Sequence, residues 1–384
     1  MTEKIKIIAD DKIPFLKGVL DPFANIFYLP PSQITKEVVK DADALFIRTR
    51  TKCDAELLEQ SSVKFIATAT IGFDHIDTGY LKAKRIKWIN APGCNSSSVQ
   101  QYFASALVTL AKQNHFKLED KTIGIVGVGN VGRKVAKIAH ILGMKVLLND
   151  PPRERIEGKH DFVSLDHLIE QSNIISLHVP LNISGIDKTF HLADSLFFEK
   201  FSSAKILINT SRGEVVEKDS LNKAIKDEKV SGCALDVWEN EPNIDLEILK
   251  VIDIATPHIA GYSAEGKANG TAACVNALNN FFDLGFEQDW FPKYLPAPKG
   301  SNTIEVECAG KSKQDIFFDC ITSTYNILED DWRLRNSTKD FEKQRAEYPV
   351  RREFNYYNVH LIDPYDSIKS AISELGFKIN NIRE

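Results

Sequence analysis

No run of roughly eighteen consecutive apolar residues, the length of a membrane span, occurs in the 384-residue chain. Met1-Thr2-Glu3-Lys4-Ile5 opens without the apolar segment of a signal peptide. A cytoplasmic location without membrane association is therefore expected. Cysteine is scarce and scattered: Cys53, Cys94, Cys233, Cys274, Cys308 and Cys320 form no C-x-x-C pair, which argues against a disulfide framework or a zinc site, so no metal is expected. Basic residues do not exceed acidic ones. The net charge of −5 offers no broad cationic surface for nucleic acid, and cations for an anionic substrate must be gathered locally. There is no internal repeat and no low-complexity tract. What remains, 43% hydrophobic and 26% charged, suffices for two or three ordinary globular domains.

Over the first ninety or so residues, strand-like runs at 4–8, 44–47, 65–67 and 86–89 alternate with polar, helix-compatible stretches, the signature of a small α/β unit. Ala91-Pro92-Gly93 then breaks the chain. Ser97 with Gln100, or Ser98 with Gln101, offers a capping box for a long helix through Tyr102, Leu107 and Leu110. Six short, near-continuously apolar runs follow, at 123–126, 146–148, 174–177, 206–208, 233–235 and 252–255, separated by helical segments. That pattern predicts a doubly wound parallel sheet buried on both faces. Ala268, Ala272, Val275, Leu278 and Phe282 recur near helical spacing, predicting a helix that returns to complete the first unit. Residues 291–300, with three prolines and a glycine, read as a linker. Beyond it, residues 303–308 alternate with period two, 356–361 are strand-like, and Ile368, Ala371, Ile372 and Leu375 form a helical stripe. The tail is thus expected to be a folded α/β unit.

The run at 123–126 leads directly into Gly127-Val128-Gly129-Asn130-Val131-Gly132, after which Val135, Ile138, Ala139 and Leu142 recur at helix spacing. In this strand-turn-helix setting the first glycine permits the tight turn and the second lets the backbone approach a pyrophosphate. The third lets the helix pack close to the strand, so unpaired N–H groups and the positive dipole end face the anion. The next apolar run ends at Asp150, eighteen residues beyond Gly132. A carboxylate there accepts from a ribose 2′-hydroxyl and repels a 2′-phosphate, which makes NAD the expected cofactor. Arg153 and Arg155 lie near enough to keep NADP open.

Three polar clusters fall where strands of that sheet should end, the edge at which open α/β sheets bind ligands. Arg212 lies in Asn209-Thr210-Ser211-Arg212-Gly213, Glu241 in Asp236-Val237-Trp238-Glu239-Asn240-Glu241-Pro242, and His258 in Thr256-Pro257-His258-Ile259-Ala260-Gly261-Tyr262. Oxidising a 2-hydroxy acid requires a hydride to leave C2 while a base takes the hydroxyl proton. An imidazole suits the base, a carboxylate on its other nitrogen fixes the tautomer, and a guanidinium grips the substrate carboxylate and polarises the forming carbonyl.

The glycine turn, Leu177-His178-Val179-Pro180-Leu181 and these three clusters together resemble the D-isomer-specific 2-hydroxyacid dehydrogenase family over about residues 1–285. The resemblance implies Arg212 as the substrate-binding and polarising residue, Glu241 as partner of the histidine, and His258 as acid/base. It places Asp150 on the adenosine ribose, Asp236 on the nicotinamide carboxamide, and His178, Val179 and Gly261 along the cofactor cleft, with His178 packing rather than catalysing. Gln101 departs from the family, in which many members carry glutamate there. A closer likeness, to a branch that acts on a phosphorylated hydroxy acid, rests on Ala9-Asp10-Asp11-Lys12-Ile13-Pro14, on Ala67-Thr68-Ala69-Thr70-Ile71-Gly72-Phe73-Asp74-His75-Ile76-Asp77, and on Tyr348-Pro349-Val350-Arg351-Arg352-Glu353-Phe354.

That likeness implies a homodimer joined through the tail, with substrate contacts from Thr49, Thr70 and Tyr262. A substrate bearing carboxylate and phosphate needs cations, for which Arg48, Arg50, Arg351 and Arg352 are candidates, Arg48 because it follows the apolar run at 44–47. The expected organisation is a flavodoxin-like substrate-binding domain over 1–93 and 263–286, a Rossmann NAD-binding domain over 94–262, and a small α/β dimerisation domain over 287–384. Two alternatives stay open: a dehydrogenase for another acid, such as 3-phosphoglycerate or hydroxypyruvate, and an NAD-sensing corepressor that binds protein partners.

Overall fold

The computed structural model describes residues 4–158 and 161–379. The chain divides into two compact units, one of residues 1–95 and 263–296, the other of residues 96–262 and 297–384.

In the first unit five parallel strands, β1 (Lys6–Asp10), β2 (Asn25–Leu29), β3 (Ala44–Ile47), β4 (Phe65–Thr68) and β5 (Lys87–Ile89), lie in the order β2-β1-β3-β4-β5. This is the flavodoxin-like order. β3 and β4 are buried along their whole length, as strands covered on both faces must be. β2 has no counterpart among the sequence-predicted strands, although Ile26-Phe27-Tyr28-Leu29 is a continuous apolar run; it is an edge strand and only partly buried. β1 also starts two residues later than the run at 4–8. The helix Ala264–Phe282 returns to this unit, where its Cys274, Val275 and Leu278 share a core with Ile7, Phe46 and Phe65.

The second unit is built on six parallel strands, β6 (Thr122–Val126), β7 (Lys145–Asn149), β8 (Ile174–Leu177), β9 (Lys205–Asn209), β10 (Val230–Leu235) and β11 (Ile254–Ala255), ordered β7-β6-β8-β9-β10-β11. All six expected runs contain a strand, although β11 covers only Ile254–Ala255 of the run at 252–255, whose Ile252 caps the preceding helix. The chain steps outward from β6 to β7, then returns past β6 to β8, so the order reverses at the carboxyl end of β6. Open sheets of this kind bind their ligands at such a switch point.

The tail contributes a third, smaller parallel sheet, β12 (Thr303–Glu307), β13 (Asn358–Ile362) and β14 (Lys378–Ile379), in that order. Residues 354–356 form a 3₁₀ turn, so β13 starts two residues after the expected run. Ile304, Val306, Val359 and Leu361 of the tail lie in one apolar cluster with Phe103 and Leu107 of the helix Ser96–Gln113 and with Ile123 and Ile125 of β6. Neither capping box forms, because the helix already starts at Ser96 and encloses the expected cap residues. Their side chains bond elsewhere in the unit: Ser97 accepts from Lys134, Ser98 Oγ donates to Glu353 at 3.1 Å, and Gln101 Nε2 donates to the Arg352 carbonyl at 2.9 Å. Among the described residues no helix is long and apolar enough to cross a membrane.

Candidate active site

Gly127 turns the chain after β6 with φ of 88°. A Cβ on it would stand 2.6 Å from the His178 carbonyl oxygen, and a Cβ on Gly132 would stand 2.0 Å from the Gly127 carbonyl oxygen. Neither position admits a side chain. A Cβ on Gly129 would meet nothing within 4 Å, so the middle glycine borders open space. No side chain caps the helix Asn130–Ile141 that begins there, and the first N–H groups of a helix, here Asn130, Val131 and Gly132, have no partner within it. The residues present therefore fit a pyrophosphate.

Asp150 follows β7 and abuts this turn, its Oδ2 accepting from the Val128 N–H at 2.7 Å and its Oδ1 from the Arg153 N–H at 3.1 Å. Arg153 pairs with Glu157 and donates to the Val128 carbonyl, while Arg155 pairs with Asp187. Both arginines that kept a 2′-phosphate open are matched by acids. His178 lies with Nε2 2.9 Å from Ser176 Oγ and Nδ1 3.2 Å from Thr210 Oγ1. Desolvation pushes its imidazole down to about 3 although the residue keeps some surface, so the ring is neutral and packs. Val179 lines the same turn, its Cγ1 2.9 Å from where a Gly127 Cβ would stand.

The loops after β9, β10 and β11 carry the polar clusters. Asn209 Nδ2 donates to the Arg212 carbonyl at 2.9 Å while its Oδ1 accepts from Ser211, which shapes the turn presenting Arg212. A Cβ on Gly213 would stand 1.9 Å from the Trp238 carbonyl carbon, so this turn is pressed against the loop of Glu241. Glu241 Oε2 lies 2.8 Å from His258 Nδ1, and its Oε1 accepts from the Trp238 N–H at 2.9 Å. Burial favours the neutral carboxyl, but the hydrogen bond and charge of His258 together with the Trp238 N–H hold Glu241 below the usual carboxylate range.

His258 has a φ of 56°, in the region L-residues rarely adopt. Beneath it Asp236 is buried and accepts from Thr256 Oγ1 and the Ile259 N–H at 2.7 Å and from the Ala260 N–H at 2.9 Å. Burial raises the Asp236 carboxyl despite those donors and His258. Gly261 continues the segment, and the Tyr262 N–H closes a turn onto the Ile259 carbonyl at 2.8 Å. Tyr262 sets its ring edge-on to Tyr348. Of the tail arginines, Arg351 points inward and donates to the Ile259 and Ala260 carbonyls, whereas Arg352 is half-buried with its guanidinium 4.1 Å from the Tyr356 ring centre.

Within the first unit, Arg48 and Thr49 follow β3 and Thr70 follows β4, adjacent strands, so all three lie at one sheet edge. Arg48 Nε donates to Asp10 Oδ2 at 3.2 Å. Asp10 is buried at the end of β1 and anchors the arginine, a role that the sequence reading did not assign. Thr49 and Arg50 are exposed, and Thr70 Oγ1 lies 2.7 Å from Thr68 Oγ1 and donates to the Gly72 carbonyl.

Residues 96–260 match the family described as D-isomer specific 2-hydroxyacid dehydrogenase, NAD binding domain, and residues 294–376 match a domain of unknown function. The erythronate-4-phosphate dehydrogenase of Bacteroides thetaiotaomicron is 49% identical over 92% of this chain and 99% of its own length. The chain belongs to the erythronate-4-phosphate dehydrogenase family. A second member, from Escherichia coli, is 38% identical over 97% of this chain and 98% of its own. Among solved structures, the D-lactate dehydrogenase of Aquifex aeolicus, complexed with NAD and lactic acid, is 27% identical, covers 72% of this chain and 95% of its own, and superposes with a TM-score of 0.60. The protein is an NAD-dependent dehydrogenase of the D-2-hydroxyacid type. Unlike the D-lactate dehydrogenase match, the erythronate-4-phosphate dehydrogenase relatives align over more than nine-tenths of the chain.

Proposed function

We propose that the protein oxidises 4-phospho-D-erythronate at C2 to 2-oxo-3-hydroxy-4-phosphobutanoate, in pyridoxal 5′-phosphate (vitamin B6) biosynthesis, as a cytoplasmic homodimer. The observation that carries the substrate is the near-full-length match to relatives of that name, tail included. The glycine turn and Asp150 would hold NAD, which when bound would supply the acceptor for the C2 hydride. His258 Nε2 takes the hydroxyl proton as the C2 carbonyl forms, while Glu241 on Nδ1 keeps the neutral ring in the tautomer that leaves Nε2 free and stabilises the imidazolium that results. Arg212 grips the substrate carboxylate and polarises the forming carbonyl. Asp150 would hold the adenosine ribose, and Arg48, Thr49, Thr70 and Tyr262 remain substrate-binding candidates.

NADH formation by the full-length protein with 4-phosphoerythronate, erythronate and 3-phosphoglycerate, and NADH consumption with hydroxypyruvate in the reverse direction, test this reading. Highest kcat/KM with 4-phosphoerythronate is expected. Preference for another acid overturns the substrate assignment, and NAD binding without turnover of any acid favours a corepressor-like role.

A further inference from the structure

We propose that Arg351 is a positioning residue for the reaction, fixing the segment that carries His258 by its carbonyl groups while Asp236 fixes the same segment by its N–H groups. The proposal rests on His258 being the acid/base of the reading above. Ile259 and Ala260, immediately after His258, present four backbone polar groups. Asp236 accepts from both N–H groups, and Arg351 Nη2 donates to both carbonyl oxygens, at 3.2 Å for Ile259 and closer for Ala260. The two charged side chains are 1% and 5% exposed, so water does not screen them. The peptide between Ile259 and Ala260 thus has an anion at its N–H end and a cation at its C=O end, matching its dipole, and hydrogen bonds to charged groups are stronger than neutral ones.

The segment needs holding, since His258 keeps a φ of 56°, which persists in a non-glycine residue only where the surroundings enforce it. Arg351 is itself fixed. Its guanidinium carbon lies 4.4 Å from the centre of the Tyr325 ring and 5.8 Å from that of Tyr348. Both tyrosine hydroxyls donate to Asp330 Oδ2 at 2.7 Å, and Ser105 Oγ on the helix Ser96–Gln113 donates to the Tyr325 carbonyl at 2.7 Å. Nε and Nη1 of Arg351 find no hydrogen-bond acceptor among the described residues, and the aromatic faces compensate them. An arginine committed in this way to rings and backbone serves the histidine's segment, not a substrate phosphate, which is the contact its place in the tail motif suggests. Arg352 is the tail arginine left for that contact.

Two variants of the full-length protein test this. Arg351→Met keeps much of the volume and removes every donor, whereas Arg351→Lys keeps the charge and can reach one carbonyl. In Arg351→Met, kcat should fall about 10²-fold, the scale of a small misplacement of a catalytic group, with the KM for 4-phosphoerythronate and the Kd for NAD within about threefold of wild type. Arg351→Lys should recover part of the loss. Amide exchange followed by mass spectrometry should quicken in residues 256–262 of Arg351→Met and stay unchanged in β6. A rise in KM confined to 4-phosphoerythronate over erythronate at unaltered kcat overturns the proposal in favour of a phosphate ligand. Equal loss of kcat and of unfolding midpoint in both variants reduces Arg351 to a packing role. Wild-type protein that turns over a different 2-hydroxy acid overturns the substrate reading alone, with kcat then measured on that acid, and the exchange experiment requires no substrate.

Discussion

Replacing Glu241 by glutamine should remove more activity than replacing it by alanine, an order opposite to that expected from size and polarity alone. Glu241 Oε1 accepts from the Trp238 N–H and Oε2 from His258 Nδ1. Glutamine offers one acceptor oxygen and one donor NH₂. With the oxygen kept on Trp238, the amide donates to Nδ1, and the neutral imidazole then carries its proton on Nε2, the nitrogen that must receive the hydroxyl proton. With the amide reversed, two donors face each other and the Trp238 N–H is left unpaired, which costs about 1–3 kcal/mol. The competent arrangement is then held in roughly one molecule in five to one in 150. Exchanging a charge-assisted hydrogen bond for a neutral one removes about another 1 kcal/mol from the forming imidazolium, close to fivefold. Together these predict a fall of about 30- to 1000-fold in kcat. Alanine gives up the charge and the orientation but lets the ring choose its tautomer, so a fall of roughly tenfold is expected. The assay is initial NADH formation at saturating acid and NAD, with NAD affinity by calorimetry as the control for folding. A glutamine variant as active as the alanine variant refutes the tautomer reasoning.

Asp150→Ala should weaken NAD more than NADP in calorimetric titrations, since the carboxylate beside the glycine turn is what a 2′-phosphate would meet; wild-type protein that binds both equally sinks that account. His178 supplies a pH dependence of stability. Its folded imidazole lies at about 3 against an ordinary 6.5, so as pH falls the unfolded chain takes up the proton first, and the stability His178 contributes, fully present above 6.5, is lost progressively toward 3. His178→Gln should flatten the fall of the urea midpoint between pH 6.5 and 4, and an unchanged slope contradicts the assignment of a neutral, packed ring.

The residues of the proposed site were conspicuous in the sequence because they sit at strand ends. β6, β8 and β9 are buried on both faces, so they read as apolar runs, and the polar residue that interrupts each run marks where the sheet edge begins. Asn209, Asp236 and Thr256 follow this rule, and Arg212, Glu241 and His258 come within a few residues of them. Edge strand β2 escaped although Ile26-Phe27-Tyr28-Leu29 is apolar, because a short run that ends at Pro30-Pro31 reads as readily as part of a loop. The capping boxes misled for a different reason. A serine two residues inside a helix and one at its cap look alike in sequence, and what separates them here is a hydrogen bond from Ser98 to Glu353, 255 residues along the chain.

The same distance explains why the role of Arg351 was hidden while its position was not. Paired arginines in an acidic chain invite an anion, and with only local spacing to judge by, a substrate phosphate is the natural partner. The partners found are instead two backbone carbonyls 92 and 91 residues earlier, together with two tyrosine rings. A carbonyl leaves no mark in sequence, since every residue has one, so no pattern of side chains can announce that an arginine will be spent on it. The tail residues that hold Arg351, Tyr325 and Tyr348 through Asp330, are aromatic and acidic and read equally well as core and surface. Their function follows only from the apolar cluster that joins Ile304, Val306 and Val359 to the helix Ser96–Gln113 and to β6, because that cluster brings the tail against the segment where His258 is strained. A tail whose contacts reached only another subunit would leave the Ile259 and Ala260 carbonyls without a charged donor, and the loop would depend on Asp236 alone.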